Sequence, residues 1–127
     1  MRTTIKQILT IAIAGLAFQS GPAAAQDKFQ KLSGAEIRAK FTGMQFTDEV
    51  HWAETYGPGG KLTVEEMGAK RVGTWRVEKD QLCTQYGKDG EGGCLEVWMS
   101  GRKVELRTPG STGSSLEGVL ERPSSRR

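Results

Sequence analysis

Histidine and cysteine are scarce in this chain of 127 residues, which contains one histidine and two cysteines. These three residues are too few for a structural zinc site, which takes a full tetrahedral set of ligands. Redox enzymes of the thioredoxin type space their cysteines as C-x-x-C, and the spacing between Cys83 and Cys94 is far longer. We therefore predict no bound metal and no cofactor.

Signatures of nucleotide binding and of serine hydrolysis are missing as well. The glycine-rich segment 87–93 is not followed by the GK[ST] of a phosphate-binding loop. The Gly/Ser segment 111–115 has no G-x-S-x-G elbow. Asp89 and Glu91 offer two side-chain oxygens, whereas calcium takes about six to eight ligands. We predict no catalytic residue in any of these segments.

Long apolar runs are missing after residue 18. Before it, Arg2 and Lys6 precede the apolar run 8–18, and three alanines follow at 23–25. This is the pattern of a secretory signal peptide with an A-x-A cleavage site. The run is shorter than the roughly 20 apolar residues of a membrane-spanning helix. We predict a signal peptide over residues 1–25, a periplasmic or secreted location and no transmembrane segment.

The segment that follows the predicted signal peptide is nearly neutral. The signal peptide takes two of the 18 Lys and Arg residues and none of the 15 acids, which leaves 16 basic and 15 acidic residues. The length suits one domain, which we place at residues 26–121, before a basic flexible tail at 122–127. Three arginines in that tail are too few to indicate a nucleic-acid partner, and we predict none.

The two cysteines lie in neighbouring strand-like segments. Cys83 lies in QLCTQY, Cys94 opens CLEVWM, and GKDGEGG joins the two segments as a turn. Adjacent strands of a hairpin lie about 5 Å apart, within the reach of a disulfide. An exported protein also meets an oxidising compartment. We therefore predict a Cys83–Cys94 disulfide that staples a loose hairpin.

One helix signature precedes the strands. In KLSGAEIRAKFTG, Ser33 and Glu36 have the spacing of a capping box, and Gly43 can end the helix. A helix of about two turns is not stable alone. We therefore expect it to pack Ile37 and Phe41 against the rest of the domain.

Short segments with alternating apolar and polar residues fill the rest of the chain. Val97 and Met99, for example, alternate with Glu96 and Trp98, which indicates a strand buried on one face. Such segments, separated by turn residues, are MQFT, VHWAETY, KLTVEEM, RVGTWRVE, QLCTQY, CLEVWM, KVELRT and LEGVLE. Strands this close together indicate a meander of hairpins. We predict a mainly β fold, an antiparallel meander that forms a small barrel, half-barrel or sandwich of about seven or eight strands, with one short N-terminal helix plugging an end or covering an edge.

The helix and hairpin motifs together resemble a group of small exported proteobacterial proteins of unknown function. Those proteins combine a leading L-[ST]-G-x-E-[IL]-R helix with a G-x-W-x-V-x-x-x-x-L-C strand pair. This chain has LSGAEIR and GTWRVEKDQLC, and the match extends from Leu32 to about Val97. The resemblance implies an exported, β-rich protein, and it transfers no catalytic residue.

His51 is the first candidate for acid–base chemistry. Asp48, Glu49 and Glu54 lie close to it in the sequence, and a histidine–carboxylate pair can transfer protons. We consider Glu49 or Glu54 as its partner. On a strand, His51 would share a face with Glu49. No motif supplies a partnered nucleophile. A small acid–base enzyme using His51 with a nearby carboxylate is therefore the alternative to a binding function.

Aromatic side chains on successive strands give the best indication of a binding surface. Trp98 shares its strand face with Glu96 and Ser100, so we predict that it points outward, as aromatics of contact surfaces do. The candidate surface consists of Trp98, Trp52, Tyr56 and His51. We predict an exported non-enzymatic binding or interaction module of the cell envelope. Its expected partner is an envelope protein or a small apolar ligand, and its oligomeric state is left open.

Overall fold

A computed structural model of the chain describes residues 28–88 and 90–124, together with Gly15. The elements in chain order are β1 (Gln30–Lys31), α1 (Gly34–Phe41), β2 (Met44–Thr47), β3 (Trp52–Tyr56), a 3₁₀ turn (Pro58–Gly60), β4 (Lys61–Glu66), β5 (Ala69–Glu78), β6 (Gln81–Tyr86), β7 (Glu91–Ser100), β8 (Lys103–Arg107) and β9 (Leu116–Glu121). Apart from Gly15, the predicted signal peptide lies outside the described residues, as do 125–127 of the predicted tail. No helix in the described part of the chain is long and apolar enough to cross a membrane.

The strands β2 to β9 form a closed antiparallel barrel. Each strand pairs with the next one along the chain, and β9 returns to pair with β2, where Leu120 lies opposite Phe46. The short β1 adds to β7, with Gln30 opposite Met99. The predicted mainly β meander with one short helix is confirmed, and of the architectures considered the chain forms the small barrel.

Alternation along the strands gives the barrel its core. Cross-strand partners point to the same face of a sheet, and the pairs Tyr56–Leu62 and Val97–Leu106 both point inward. All four side chains are buried. Tyr56 also packs edge-on against Trp75, with 5.5 Å between the ring centroids. The period-two pattern of the sequence therefore corresponds to the inner and outer faces of one barrel wall.

Two details of the predicted strands were wrong. His51 lies in the turn before β3 and not on the strand, because the Asp48 carboxylate binds the backbone N–H groups of residues 50–52. Glu91, Gly92 and Gly93, which were predicted to lie in the hairpin turn, belong to β7. The φ of Gly92 is 151°, and a Cβ atom there would clash with the backbone oxygen of Thr84 on β6. This glycine permits close strand pairing and does not form the turn.

Helix α1 begins with the predicted capping box. The Ser33 hydroxyl accepts from the Glu36 backbone N–H at 3.2 Å, and the Glu36 carboxylate accepts from the Ser33 N–H at 3.1 Å. Ile37 and Phe41 are completely buried. The Phe41 ring lies edge-on to Tyr56, with 5.1 Å between centroids. The helix is therefore part of the barrel core, as its short length requires.

The helix covers one end of the barrel. It contacts β2, β5 and β6, and the Gly34 backbone N–H donates to the Asp80 carboxylate in the β5–β6 turn at 2.6 Å. We call this end, with the β5–β6 turn, the closed end. In a meander the other connections alternate, so the connections at 48–51, 67–68 and 108–115, and residues 87, 88 and 90 of the β6–β7 connection, lie together at the opposite end. We call that end the open end.

The predicted disulfide is confirmed. Cys83 on β6 lies directly opposite Cys94 on β7, and the two sulfurs are bonded. Both residues alternate with the inward-facing Leu82 and Leu95, so the bridge lies on the outer face of the barrel. It joins two strands without reaching the interior.

Candidate binding site at the open end of the barrel

A cavity of about 210 Å³ lies at the open end. Three of its lining side chains are largely apolar, namely Trp52, Val64 and Leu116. The other four are polar, namely Glu54, Glu66, Arg71 and Tyr86. These residues come from five strands, and strand alternation turns each of them inward. Trp52 also packs edge-on against the core residue Phe46, with 4.8 Å between ring centroids. The cavity is therefore continuous with the barrel core.

A buried carboxylate lies at the inner side of this cavity. Glu54 is 6% exposed, and its two oxygens accept hydrogen bonds from two tyrosines. The Tyr56 hydroxyl donates to Oε2 at 2.5 Å, and the Tyr86 hydroxyl donates to Oε1 at 2.6 Å. A buried charge is tolerated only where hydrogen bonds or an ion pair compensate it. The two phenols supply that compensation and hold the carboxylate in one orientation.

Both tyrosines are held in the protonated, donating form. Burial raises the pKa of Tyr56 well above its ordinary value, and the nearby charge of Glu54 raises that pKa further. Burial, followed by the Glu54 charge, raises the pKa of Tyr86 to about 12. Each phenol would have to form an anion next to an existing carboxylate. The Tyr–Glu–Tyr network therefore keeps its hydrogen bonds throughout the neutral pH range.

We expect alkaline pH to destabilise the protein through these tyrosines. The pKa of Tyr86 is raised from 10.0 in the unfolded chain to about 12 in the folded chain. Its contribution to stability is complete below pH 10 and is lost as the pH rises through 12. The free energy of unfolding, measured with urea, should fall as the pH is raised from neutral to about 12. Phenolate absorbance of the folded protein should show that Tyr86 ionises above the ordinary tyrosine pKa of 10.0.

Tyr86→Phe is the control for this pH dependence. It removes one of the two tyrosines of the chain, so the alkaline loss of stability should become shallower while stability at neutral pH falls from the lost hydrogen bond. An unchanged slope in the variant, or normal ionisation of both phenols in the folded wild type, would contradict the network.

Arg71 and Glu66 form an ion pair at the outer part of the cavity wall. The Arg71 Nη2 atom donates to Glu66 Oε2 at 3.2 Å. The Arg71 guanidinium also lies over the Tyr86 ring, with Cζ 5.7 Å from the ring centroid. Glu54 is bonded to the two tyrosine hydroxyls and, within residues 28–88 and 90–124, to no lysine or arginine. Arg71 is thus matched by Glu66, and Glu54 keeps an unpaired negative charge.

The four residues of the predicted binding surface do not lie on one surface. Trp52 lines the cavity, and Tyr56 is completely buried beneath it. His51 lies in the 48–51 turn at the open end, whereas Trp98 lies on β7 and alternates with the inward-facing Val97. The structure thus brings Trp52 and Tyr56 together through Glu54 and separates both from Trp98.

Trp98 points outward, but other side chains cover part of its ring. Its indole N–H donates to the Glu96 carboxylate at 3.0 Å. The Arg107 guanidinium lies over the ring, 4.2 Å from its centroid, and is itself bonded to Glu105 at 2.6 Å. Lys31 lies 3.6 Å from Glu96. The tryptophan is therefore a half-buried member of a charged outer network rather than a bare apolar contact.

His51 pairs with Asp48, whereas Glu49 or Glu54 was the partner proposed from the sequence. Its Nδ1 lies 2.8 Å from Asp48 Oδ2, and the side chain is 64% exposed. Glu49 instead faces Arg102 at 3.8 Å, and Glu54 is inside the barrel. His51 is therefore paired with a nearby carboxylate, Asp48, and not with Glu49 or Glu54.

Asp48 shapes the turn that carries His51. Desolvation raises the pKa of this carboxyl, but hydrogen bonds from the backbone N–H groups of Val50, Trp52 and His51, joined by the His51 ring, outweigh it and hold the pKa well below its ordinary value. The carboxylate is an acceptor for the turn. Its pairing with His51 is accounted for by this local structure.

Arg71, Tyr86, Val64 and Leu116 were missed by sequence reasoning. One local signal was present. Trp52, Glu54 and Tyr56 are spaced two residues apart, so on a strand they share one face, with the carboxylate between the two aromatics. Tyr86 lies 32 residues after Glu54. No spacing rule in the sequence connects the two.

One group of residues in the described part of the chain has metal-ligand atoms close together, namely Glu78, Cys83 and Cys94. The two sulfurs are bonded to each other. They are not thiolates in this state, and thiolates are what metal ions bind. Asp89, considered for calcium together with Glu91, lies outside the described residues.

The open-end cavity is the best-defined candidate site. It joins a buried carboxylate to an apolar wall, whereas His51 and Trp98 each belong to a separate polar network on the surface. No protein-family model, curated protein or solved structure matches the chain.

Proposed function

We propose that this protein is a non-enzymatic binding module that holds a small molecule in the open end of its barrel. The observation that carries the proposal is the cavity of about 210 Å³, in which Trp52, Val64 and Leu116 surround the buried carboxylate of Glu54. Ligand sites in proteins are mainly apolar concavities with a few fixed polar groups. An eight-stranded barrel is wide enough to hold one small ligand.

The size of the cavity limits the ligand. Pockets for drug-sized molecules measure roughly 300–1,000 Å³, and this cavity is smaller. The inner part of the wall is also held in place, since Trp52 is packed on Phe46 and Glu54 is held by two tyrosines. A preorganised wall loses little entropy on binding. The ligand is therefore a small molecule with an apolar part and one polar group.

We propose an oxidising compartment, the periplasm or the exterior of the cell, as the place where the protein works. The signal-like N-terminus and the Cys83–Cys94 disulfide support this location. A partner protein of the envelope is the other expected occupant of such a module. The concave shape of the cavity and the buried carboxylate of Glu54 at its inner side favour a small molecule over a flat protein surface.

The alternative of an acid–base enzyme at His51 has less support. His51 is mostly exposed and pairs with a carboxylate that organises its own turn. It does not line the cavity. Glu54 does line it, but both of its oxygens already accept from phenols whose pKa values are raised. Such a group suits binding better than proton transfer.

The proposal is tested by titrating the oxidised protein with benzyl alcohol, a neutral probe with an aromatic body and one hydroxyl. We expect saturable changes in the NMR signals of the Trp52 indole N–H and of the backbone amides around Leu116. Leu116→Trp fills the cavity and should raise the Kd by about tenfold or more, because a ligand cannot share space with the indole.

Val72→Trp is the matched control for this titration. Val72 is 60% exposed and pairs with Thr63 on the outer face of the barrel, so the new indole should leave the Kd within about twofold. Thermal unfolding of both variants verifies that they fold. Probe binding that survives Leu116→Trp, or that maps to the outer face, would overturn the proposal.

A further inference from the structure

We infer that the cavity selects small organic cations, with the ammonium group of an amine bound to Glu54 and its apolar part on Trp52, Val64 and Leu116. This inference rests on the proposed binding function and names the class of ligand. It follows from the charges inside the open end, the free hydrogen-bonding capacity of Glu54 and the cost of burying its charge.

The charged side chains that face inward at the open end are mainly acidic. Glu54 and Glu66 line the cavity with Arg71, and the exposed Glu91 lies opposite Tyr86, on the same side of the strands at the rim of the open end. Arg71 is bonded to Glu66. A negative charge therefore remains inside the open end, and a charged wall of one sign concentrates ions of the opposite sign.

Glu54 has acceptor capacity left for a ligand. A carboxylate offers about four lone-pair sites, and the hydroxyls of Tyr56 and Tyr86 use one on each oxygen. An ammonium group carries only donors. It can therefore bind Glu54 without displacing either tyrosine, and the two phenols keep the carboxylate oriented while it binds.

Burial makes this carboxylate a strong partner for a cation. Glu54 is 6% exposed and has two neutral donors as partners. A charge removed from water interacts more strongly with an opposite charge, and charge-assisted hydrogen bonds are stronger than neutral ones. The Trp52 ring in the cavity wall adds an aromatic environment that attracts cations. A small amine can bind the buried carboxylate through its ammonium group and contact the aromatic wall with its apolar part.

An anionic ligand meets the opposite environment. Its only nearby cation in the cavity wall is Arg71, which is already bonded to Glu66 and lies over Tyr86. The anion would also lie close to the buried charge of Glu54, and like charges in a desolvated site repel each other strongly. The wall therefore discriminates against carboxylates of the same size.

The inference is tested with three probes that share a benzyl or phenyl body, namely benzylamine, benzyl alcohol and benzoate. Each is titrated into the oxidised full-length protein at neutral pH and followed by calorimetry and by the Trp52 indole signal. We expect benzylamine to bind about tenfold more tightly than benzyl alcohol, because its hydrogen bond to Glu54 is an ion pair, and benzoate to bind most weakly.

Glu54→Gln tests the role of the buried carboxylate. Glutamine keeps the size of the side chain, and it can accept from one tyrosine hydroxyl with its oxygen and donate to the other tyrosine oxygen with its amide N–H. The affinity for benzylamine should therefore fall to that for benzyl alcohol, while the affinity for benzyl alcohol changes by less than about threefold. Glu65→Gln is the control, because Glu65 neighbours Glu66 on β4, is exposed and pairs with Lys70 outside the barrel. It should leave the preference for benzylamine unchanged.

The possible results separate this inference from the proposed function. Equal affinity of benzylamine and benzyl alcohol, or tighter binding of benzoate, overturns the cation preference and leaves a binding cavity in place. If Glu65→Gln no longer prefers benzylamine over benzyl alcohol, the preference comes from surface charge and not from Glu54, which also overturns the inference. Absence of binding by all three probes contradicts the proposed function itself. Because the decisive comparison is made on the wild-type protein, it does not depend on the folding of a variant.

Discussion

Replacing Phe41 by alanine is expected to lower the free energy of unfolding by about 3–5 kcal/mol, the cost of removing a fully buried aromatic ring. Phe41 has no exposed surface and contacts the rings of Tyr56 and Phe46, at centroid distances of 5.1 and 6.5 Å. Helix α1 has eight residues and is too short to form alone. Urea unfolding followed by tryptophan fluorescence and circular dichroism measures the loss.

Two further substitutions make this prediction specific to the core contact. Lys40→Ala changes an exposed neighbour on the same helix and should alter stability by less than about 0.5 kcal/mol. Ile37→Val removes one methylene from the other buried helix position and should cost about 0.5–1.5 kcal/mol. Wild-type stability in Phe41→Ala would show that the helix does not belong to the core. If Phe41→Ala does not fold, this agrees with a core position of Phe41. The loss of free energy of unfolding in Ile37→Val then tests whether the helix belongs to the core.

Replacing both cysteines by alanine is expected to lower the free energy of unfolding by about 3 kcal/mol. Cys83 and Cys94 close a loop with a sequence separation of 11, and in the chain-entropy model a crosslink of this length removes about that much unfolded-state entropy. Proteins of this size have stabilities of about 5–15 kcal/mol. The double variant, which leaves no free thiol, is compared with the oxidised wild type by urea unfolding.

Reduction of the wild type provides the control. Under reducing conditions its stability should approach that of the double alanine variant, which itself should not respond to the reductant. The bridge lies on the outer face, so benzyl alcohol should still bind the folded double variant with a Kd within about threefold of the wild type. A stability change well below about 1 kcal/mol would contradict the stapling role, and a lost cavity would show that the bridge also shapes the open end.

Local signals in the sequence were sufficient for the elements. Ser33 and Glu36 predict the helix start because both capping partners lie within one turn. The segments MQFT, QLCTQY and LEGVLE correspond residue for residue to β2, β6 and β9, because alternation is a property of each strand by itself. The disulfide followed from a single possible pair of cysteines. Among the elements of residues 28–88 and 90–124, β1, which has two residues, had no sequence signal.

Closure of the barrel depended on contacts between distant residues. Alternation indicates which side chains share a face, but it does not indicate that the first and last strands of the meander pair. Leu120 lies opposite Phe46, and Gly118 next to this pairing leaves room for it, since a Cβ atom there would come within 2.7 Å of Phe46 Cε2. The need for glycine at this position is therefore visible only in the folded barrel.

Local patterns were enough to predict the helix, the strand segments, the disulfide and a mainly β fold, because alternation, capping and a single pair of cysteines can be recognised without knowing the fold. The candidate site depends instead on contacts that form only when the chain folds. Glu54 was one of 15 acids and was considered only as a possible partner of His51, until strand pairing placed Tyr86 within hydrogen-bonding distance and the barrel buried Glu54. A buried carboxylate interacts strongly with a cation because it is removed from water and held by hydrogen-bond partners. Both conditions depend on how the barrel closes.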